Sequence, residues 1–293
     1  MVKNNVLVTG SNSGFGRLIS LALARRGHRV FATMRSPATK NASAAAELRS
    51  LAEAERLPLH VLELDVTDDR SVATAVQSAE RTAGHLDVVV NNAGYAVGGL
   101  NETLTAEQVL AELDTNVVGA HRVNRAILPS LRARRAGLLV HISSTMGRLT
   151  APFNGIYCGS KWALEAMAES YRYELKPTGV EVSIVQPGVF KTGIIASTVV
   201  GADPERAQGY GMEAVQSKLV DMLHAMHNGP GASNPEEVAR AVVALVEAPA
   251  GTRPLRVVVD PSGGGAATEA LNQAAAEIQR GLLTALGMSQ LVD

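Results

Sequence analysis

The segment Tyr157-Cys158-Gly159-Ser160-Lys161 sets a phenol and an ammonium four residues apart. On a helix that spacing brings both side chains to one face about a turn apart, so the cation can act on the phenol. Hydride transfer to a carbonyl has a use for such a pair. Negative charge grows on the carbonyl oxygen as the hydride arrives, so a proton donor must meet it there. The reverse reaction needs a base at the same point, and Tyr157 could serve in both directions. A free phenol titrates near pH ~10, so neutrality requires a fall of about 3 pH units, roughly 4 kcal/mol of differential stabilisation. Lys161 is placed to supply much of it as a nearby cation, together with the positive ring of an oxidised nicotinamide.

A second group of residues suits phosphate. In Val6-Leu7-Val8-Thr9-Gly10-Ser11-Asn12-Ser13-Gly14-Phe15-Gly16 an apolar run meets three glycines just before a helical pattern begins. Glycines let the backbone approach a pyrophosphate, and the helix N-terminus offers N–H donors and partial positive charge. Gly10, Asn12, Ser13, Gly14, Phe15 and Gly16 are therefore candidate dinucleotide contacts. Dinucleotide sites usually carry an acid about 20 residues further on, which binds the adenosine ribose hydroxyls. Here no Asp or Glu lies between Arg29 and Lys40; Met34 takes that place and Arg35 follows. A guanidinium can pair with a 2′-phosphate that a carboxylate would repel. NADP(H) is thus the expected cofactor, with NAD(H) as the alternative.

The elements that must position these groups follow from periodicity. Seven short apolar runs (NVLVTG, HRVFATM, PLHVLELD, LDVVVNNAG, GLLVHISS, VEVSIVQPG and LRVVVD) read as strands. Between them, 15–26, 43–56, 69–83, 105–134, 155–175 and 234–247 read as helices, the last opened by Asn234 as N-cap and Pro235 at its first position. This alternation predicts an α/β, doubly wound Rossmann fold with a seven-stranded parallel sheet and helices on both faces. No linker divides it, so one domain over 1–293 is expected. The interval from about 190 to 233 exceeds ordinary connection lengths and reads as a strandless substrate lid with short helices. A tail helix is expected over about 265–287.

Composition narrows the partners. The 27 basic and 28 acidic residues give a net charge of −1, and no basic stripe forms, so no nucleic-acid partner is expected. No apolar run is long enough to span a bilayer and no cleavable leader is evident, so no membrane partner is expected either. The single cysteine, Cys158, fits a reducing compartment, with cytoplasm as the expected location. His224 and His227 lack a nearby acidic partner and read as a solvated helix face, so no metal site is expected.

Taken in order, the glycine loop, Asn91-Asn92-Ala93-Gly94, Asn116, Ser144, YCGSK and QPGVFKT resemble the short-chain dehydrogenase/reductase family over roughly residues 4–260. Ser144 precedes Tyr157 by 13 residues, as in that family; Ser143 is one residue out of register. Short stretches such as ATMR and PFNGIYCGSK faintly resemble the hydroxysteroid and retinol dehydrogenases within it. The resemblance implies that Ser144 binds the substrate oxygen, Lys161 the nicotinamide ribose, and Asn116 a water in a proton path to Lys161. It also implies that Asp65 and Val66 contact adenine, that Asn92, Ala93 and Gly94 line the ribose, and that Pro187, Gly188, Val189 and Thr192 hold the nicotinamide amide. A homodimer or homotetramer is implied in the same way. Tyr95, Met146, Phe153 and Phe190 flank these motifs together with Ser144, and suggest an apolar pocket for a small carbonyl or alcohol substrate. A redox sensor that binds the dinucleotide without turnover would need the cradle but not the proton-transfer group.

Overall fold

The computed structural model describes residues 3–194, 197–229, 232–261 and 263–292. Its strands are β1 (Asn5–Val8), β2 (Arg29–Met34), β3 (Leu59–Glu63), β4 (Val88–Asn91), β5 (Val97–Gly98), β6 (Gly137–Ile142), β7 (Val180–Pro187), β8 (Val199–Val200) and β9 (Arg256–Val259). The helices are α1 (Gly14–Arg25), α2 (Ala42–Ala54), α3 (Asp69–Ala83), α4 (Ala106–Leu113), α5 (Gly119–Arg134), α6 (Gly155–Leu175), α7 (Glu213–Asn228), α8 (Glu236–Glu247) and α9 (Gly265–Ala285).

Seven strands form one parallel sheet in the order β3-β2-β1-β4-β6-β7-β9. Val-rich runs suit this sheet because helices cover both of its faces and both side-chain directions are buried. Alternation along β1 shows it: Val6 and Val8 join the core layer with α1, α2 and α8, while Leu7 faces the layer with α3, α5 and α6. Chain order reverses between β1 and β4. The glycine loop leaves the first and the Asn91–Gly94 segment the second, which puts both at the crevice where such sheets bind ligands.

Local chemistry sets the helix ends. Asp68 Oδ1 accepts from the Arg70 and Ser71 amides (2.7 and 2.9 Å) to start α3, which stops at Gly84 with φ 85°. Thr105 and Gln108 form a capping box on α4. Asn234 Oδ1 accepts from the Glu236 amide at 3.0 Å at the head of α8. The basic run after Leu131 ends α5, with Arg135 left-handed.

Three features depart from the sequence reading. The expected 105–134 helix is interrupted by a π-helical turn, Asp114–Val118, between α4 and α5. The 190–233 interval, read as strandless, contains a strand: β8 pairs in parallel with β5, Val97 against Val199 and Gly98 against Val200. Its helix is also not short, since α7 runs for 16 residues. A two-residue bridge carries no periodicity, and its pairing partner lies about a hundred residues upstream, so neither strand announces itself locally.

Candidate active site

Tyr157 and Lys161 lie near the start of α6, and Ser144 lies just beyond β6. Ser144 Oγ accepts from the Met146 amide at 3.1 Å and approaches the Pro187 carbonyl at 3.4 Å. It also lies close enough to the Tyr157 phenol to favour its ionised form. Ser143, by contrast, turns away and donates to Glu165 Oε1 at 2.9 Å. Lys161 is buried; its Nζ donates to the Ile142 carbonyl at 3.0 Å and stands 5.8 Å from the centre of the Tyr157 ring.

The electrostatics differ from the expectation at one point. Burial pushes the Tyr157 phenol up to about 12, opposed by the Ser144 hydroxyl, while the Glu112 carboxylate pushes the same way as burial. Lys161 is pushed down to about 8, again chiefly by burial, with Glu112 and Glu165 opposing. The chain's own groups therefore do not bring the phenol towards neutrality. Desolvation of a half-buried ring, a tertiary effect, outweighs a cation that is itself desolvated and committed to a carbonyl.

Asn116 sits inside the π turn, a distortion common at functional sites. Its Nδ2 donates to the Tyr95 carbonyl (2.9 Å) and Ser160 Oγ (3.0 Å), and its Oδ1 accepts from the Tyr95 amide (3.1 Å). The turn thus ties the strand-end segment after β4 to α6 through one buried amide.

Around the crevice, Gly10 and Gly14 have φ 69° and 52°, and a Cβ on Gly16 would stand 2.2 Å from the Gly10 carbonyl. These positions need glycine. Ser13 heads α1 without using its side chain as a cap, and no acidic residue occupies the first turn. That leaves an electropositive helix end with free donors, which fits a pyrophosphate. Thr9 Oγ1 accepts from the Asn92 and Ala93 amides at 2.9 Å each, and Asn92 Nδ2 returns to the Thr9 and Gly10 carbonyls at 2.9 and 3.2 Å. Asn92 is therefore a staple between the two loops as well as a candidate contact.

The remaining candidates fall around this centre. Arg35 follows β2, exposed and without a carboxylate partner among the described residues. Asp65 Oδ1 accepts from the amide and hydroxyl of Thr67 (3.0 and 2.8 Å), and Val66 is buried against Gly119. Pro187 ends β7, Gly188 and Val189 follow it, and Thr192 folds back so that its Cβ lies 3.8 Å from where a Gly14 side chain would begin.

Tyr95, Met146 and Phe153 are half-buried, and Phe153 holds a strained φ of 62° just ahead of α6. Phe190 is placed differently. It is 3% exposed in the core, edge-on to Phe15 with ring centres 5.6 Å apart. Its carbonyl pairs with His227 Nδ1 at 3.0 Å, so His227 pins α7 and does not simply face solvent.

Two groups escaped the sequence reading. Glu112, wholly buried on α4, contacts Asn116. Beneath Ser143, Glu165 accepts from Gln186 (2.7 Å) and Arg256 (2.9 Å), and Gln186 exchanges bonds with Asn272 of α9. Only the i to i+4 relation of Glu112 to Asn116 could have hinted at the first; the second joins residues too distant in sequence to be connected by pattern.

A doubly wound sheet with a glycine loop at its switch point and a Ser–Tyr–Lys cluster beside it defines a dinucleotide-dependent oxidoreductase. The comparisons sharpen this. Residues 4–201 match the short chain dehydrogenase family. A 3-ketodihydrosphingosine reductase of Bacteroides thetaiotaomicron is 35% identical over 188 residues, 64% of each chain. Human 17-beta-hydroxysteroid dehydrogenase type 1 is 34% identical, covering 85% of this chain and 76% of its own. The structure of an alcohol dehydrogenase from the archaeon Thermococcus sibiricus, complexed with 5-hydroxy-NADP, superposes with a TM-score of 0.69. It is 25% identical and covers 87% of this chain and 94% of its own. The chain belongs to the short-chain dehydrogenase family, and is an oxidoreductase of that family. Among the described residues, no helix is long and apolar enough to cross a membrane.

Proposed function

We propose that this chain interconverts a carbonyl and a secondary alcohol on a hydrophobic small molecule, with Tyr157 as the acid and base and NADP(H) preferred over NAD(H). The convergence of Ser144, Tyr157 and Lys161 beside the glycine loop, with Asn116 behind them, carries the reading. When bound, the dinucleotide gives or takes the hydride. Ser144 Oγ holds the substrate oxygen, Tyr157 gives or takes its proton, and Lys161 favours the phenolate as a nearby cation. The donors at the head of α1 hold the pyrophosphate, with Asp65, Val66, Asn92, Ala93 and Gly94 along the adenosine and ribose side. Residues 187–192 hold the amide, and the exposed Arg35 guanidinium pairs with the 2′-phosphate. Tyr95, Met146 and Phe153 line an apolar pocket, while the buried Phe190 supports it from the core. Relatives named for a steroid and a ketosphingosine support a hydrophobic substrate, and the NADP derivative in the alcohol dehydrogenase supports the cofactor.

The chain works in this reading as one domain, 1–293, with 190–233 as its lid, in the cytoplasm. It associates as a dimer or tetramer through α4, α5, the π turn between them and α6, where Leu110, Val118 and Trp162 are exposed; a monomer in light scattering would refute that. The functional test follows NADPH and NADH absorbance over a panel of ketones, aldehydes and secondary alcohols. NADPH-preferring turnover supports the proposal, whereas tight dinucleotide binding without turnover of any compound favours the sensor.

A further inference from the structure

Glu112 is a carboxyl group placed where a carboxyl is costly. It is 0% exposed, in the last turn of α4, four residues before Asn116. Among the described residues its Oε1 receives only two long contacts, from the Val97 amide and Asn116 Nδ2, both at 3.4 Å, and its Oε2 has no hydrogen-bond partner. A buried carboxylate normally collects short, charge-assisted bonds, so this one is poorly suited to a permanent charge. Across the Asn116 amide lie Ser160, whose hydroxyl donates to the Tyr157 carbonyl at 2.8 Å, and then Lys161. Gly94 keeps the gap open: a Cβ there would stand 3.0 Å from Asn116 Oδ1 and 3.8 Å from Lys161 Nζ.

We propose that Glu112 is a positioning residue that shares a proton with Lys161: it sets the charge of that ammonium and stores the proton that catalysis displaces. The inference rests on the oxidoreductase reading above. In alcohol oxidation the substrate O–H bond breaks and its proton goes to the Tyr157 oxygen. A proton leaves the Lys161 ammonium, with water as carrier, and forms an O–H bond on the Glu112 carboxylate; the Tyr157 proton restores the ammonium. Carbonyl reduction runs these transfers backwards.

The titratable groups that face Glu112 are Lys161, Tyr157 and Cys158 from α6 and Tyr95 from the segment after β4. Lys161 is the cation among them. Burial pushes the Glu112 carboxyl up to about 7, with Lys161 opposing, while Glu112 in turn holds Lys161 up. The two groups titrate as a coupled pair in the range where the enzyme must work.

The test compares the wild-type chain with Glu112→Gln, whose amide can still accept from Val97, and with Glu112→Asp. Melting temperatures confirm that each is folded. Infrared spectra of the protein alone, recorded against pH, read the protonated-carboxyl C=O band. One such band should disappear as pH rises through about 7 in the wild type and be missing in Glu112→Gln. With a turned-over ketone or alcohol and NADP(H), loss of Glu112 should move the alkaline limb of kcat/KM down by about one pH unit, a roughly tenfold loss on that limb. Glu112→Asp should restore part of it, which a purely structural role would not do. A carboxyl band unchanged by Glu112→Gln overturns the proposal, as does an alkaline limb that stays in place. A wild type inactive on every compound would refute the oxidoreductase reading, whereas the infrared titration, which needs no substrate, still decides the Glu112–Lys161 pair.

Discussion

At the scale of single residues, the Tyr157 phenol is harder to ionise than its spacing from Lys161 implied. With burial holding it up to about 12, it is suited to keeping its proton until negative charge develops beside it. Replacing Tyr157 with Phe removes that proton and little else, so kcat should fall about 10²- to 10⁴-fold. Dinucleotide binding, read by fluorescence titration, should stay within about threefold; a variant keeping a tenth of wild-type kcat would remove Tyr157 from its role. Arg35 tests the cofactor side. Arg35→Ala should raise KM for NADPH about tenfold or more, the scale of one charge-assisted phosphate contact, and leave KM for NADH nearly unchanged. Parallel changes would sink the assignment. The Ser144, Tyr157 and Lys161 set was legible because fixed offsets on one helix and one strand end survive as sequence spacing. The direction of the Tyr157 shift and the burial of Glu112 were not, because burial is conferred by segments far away in the chain.

At the scale of elements, the seven strands and the six helical crossovers were legible because each repeats an apolar period over at least four residues. The π turn was not: it adds no distinctive residue, yet it brings Asn116 against both Tyr95 and Ser160. The tail helix was legible, but its attachment was not. Asn272 of α9 accepts from Arg148 Nε (2.9 Å) and donates to Gln186 Oε1 (2.7 Å), and Gln186 reaches Glu165 on α6. One amide therefore locks α9 to β7 and, through it, to α6. Asn272→Ala would leave buried groups on Gln186 and Arg148 short of partners, at a cost of about 1–3 kcal/mol. Urea unfolding should show a loss of this size with the slope unchanged; a loss under about 0.5 kcal/mol would mean that α9 is held by its apolar contacts alone.

At the scale of the whole molecule, two buried groups at the sheet's functional end give its stability opposing pH dependences. His141, wholly buried on β6, is pushed down to about 4 from 6.5, first by burial and then by Lys161. Between those values the unfolded chain binds a proton that the folded one refuses, so this contribution rises as pH rises from about 4 to about 6.5. Glu112 is raised from 4.5 to about 7, so the folded chain binds the extra proton and its contribution falls as pH rises through that window. Each is of the order of 3 kcal/mol at most, and in the overlap they largely offset one another. Removing either partner should expose the other. Relative to wild type, Glu112→Gln should gain urea stability more steeply between about pH 4.5 and 6.5, and His141→Gln should gain it less steeply or lose it. Using differences from wild type cancels the surface carboxylates common to all three proteins. Parallel stability curves would mean that the sheet end relaxes to admit water around these groups. The crevice beside them would then be less dry than the burial of Lys161 and Glu112 requires.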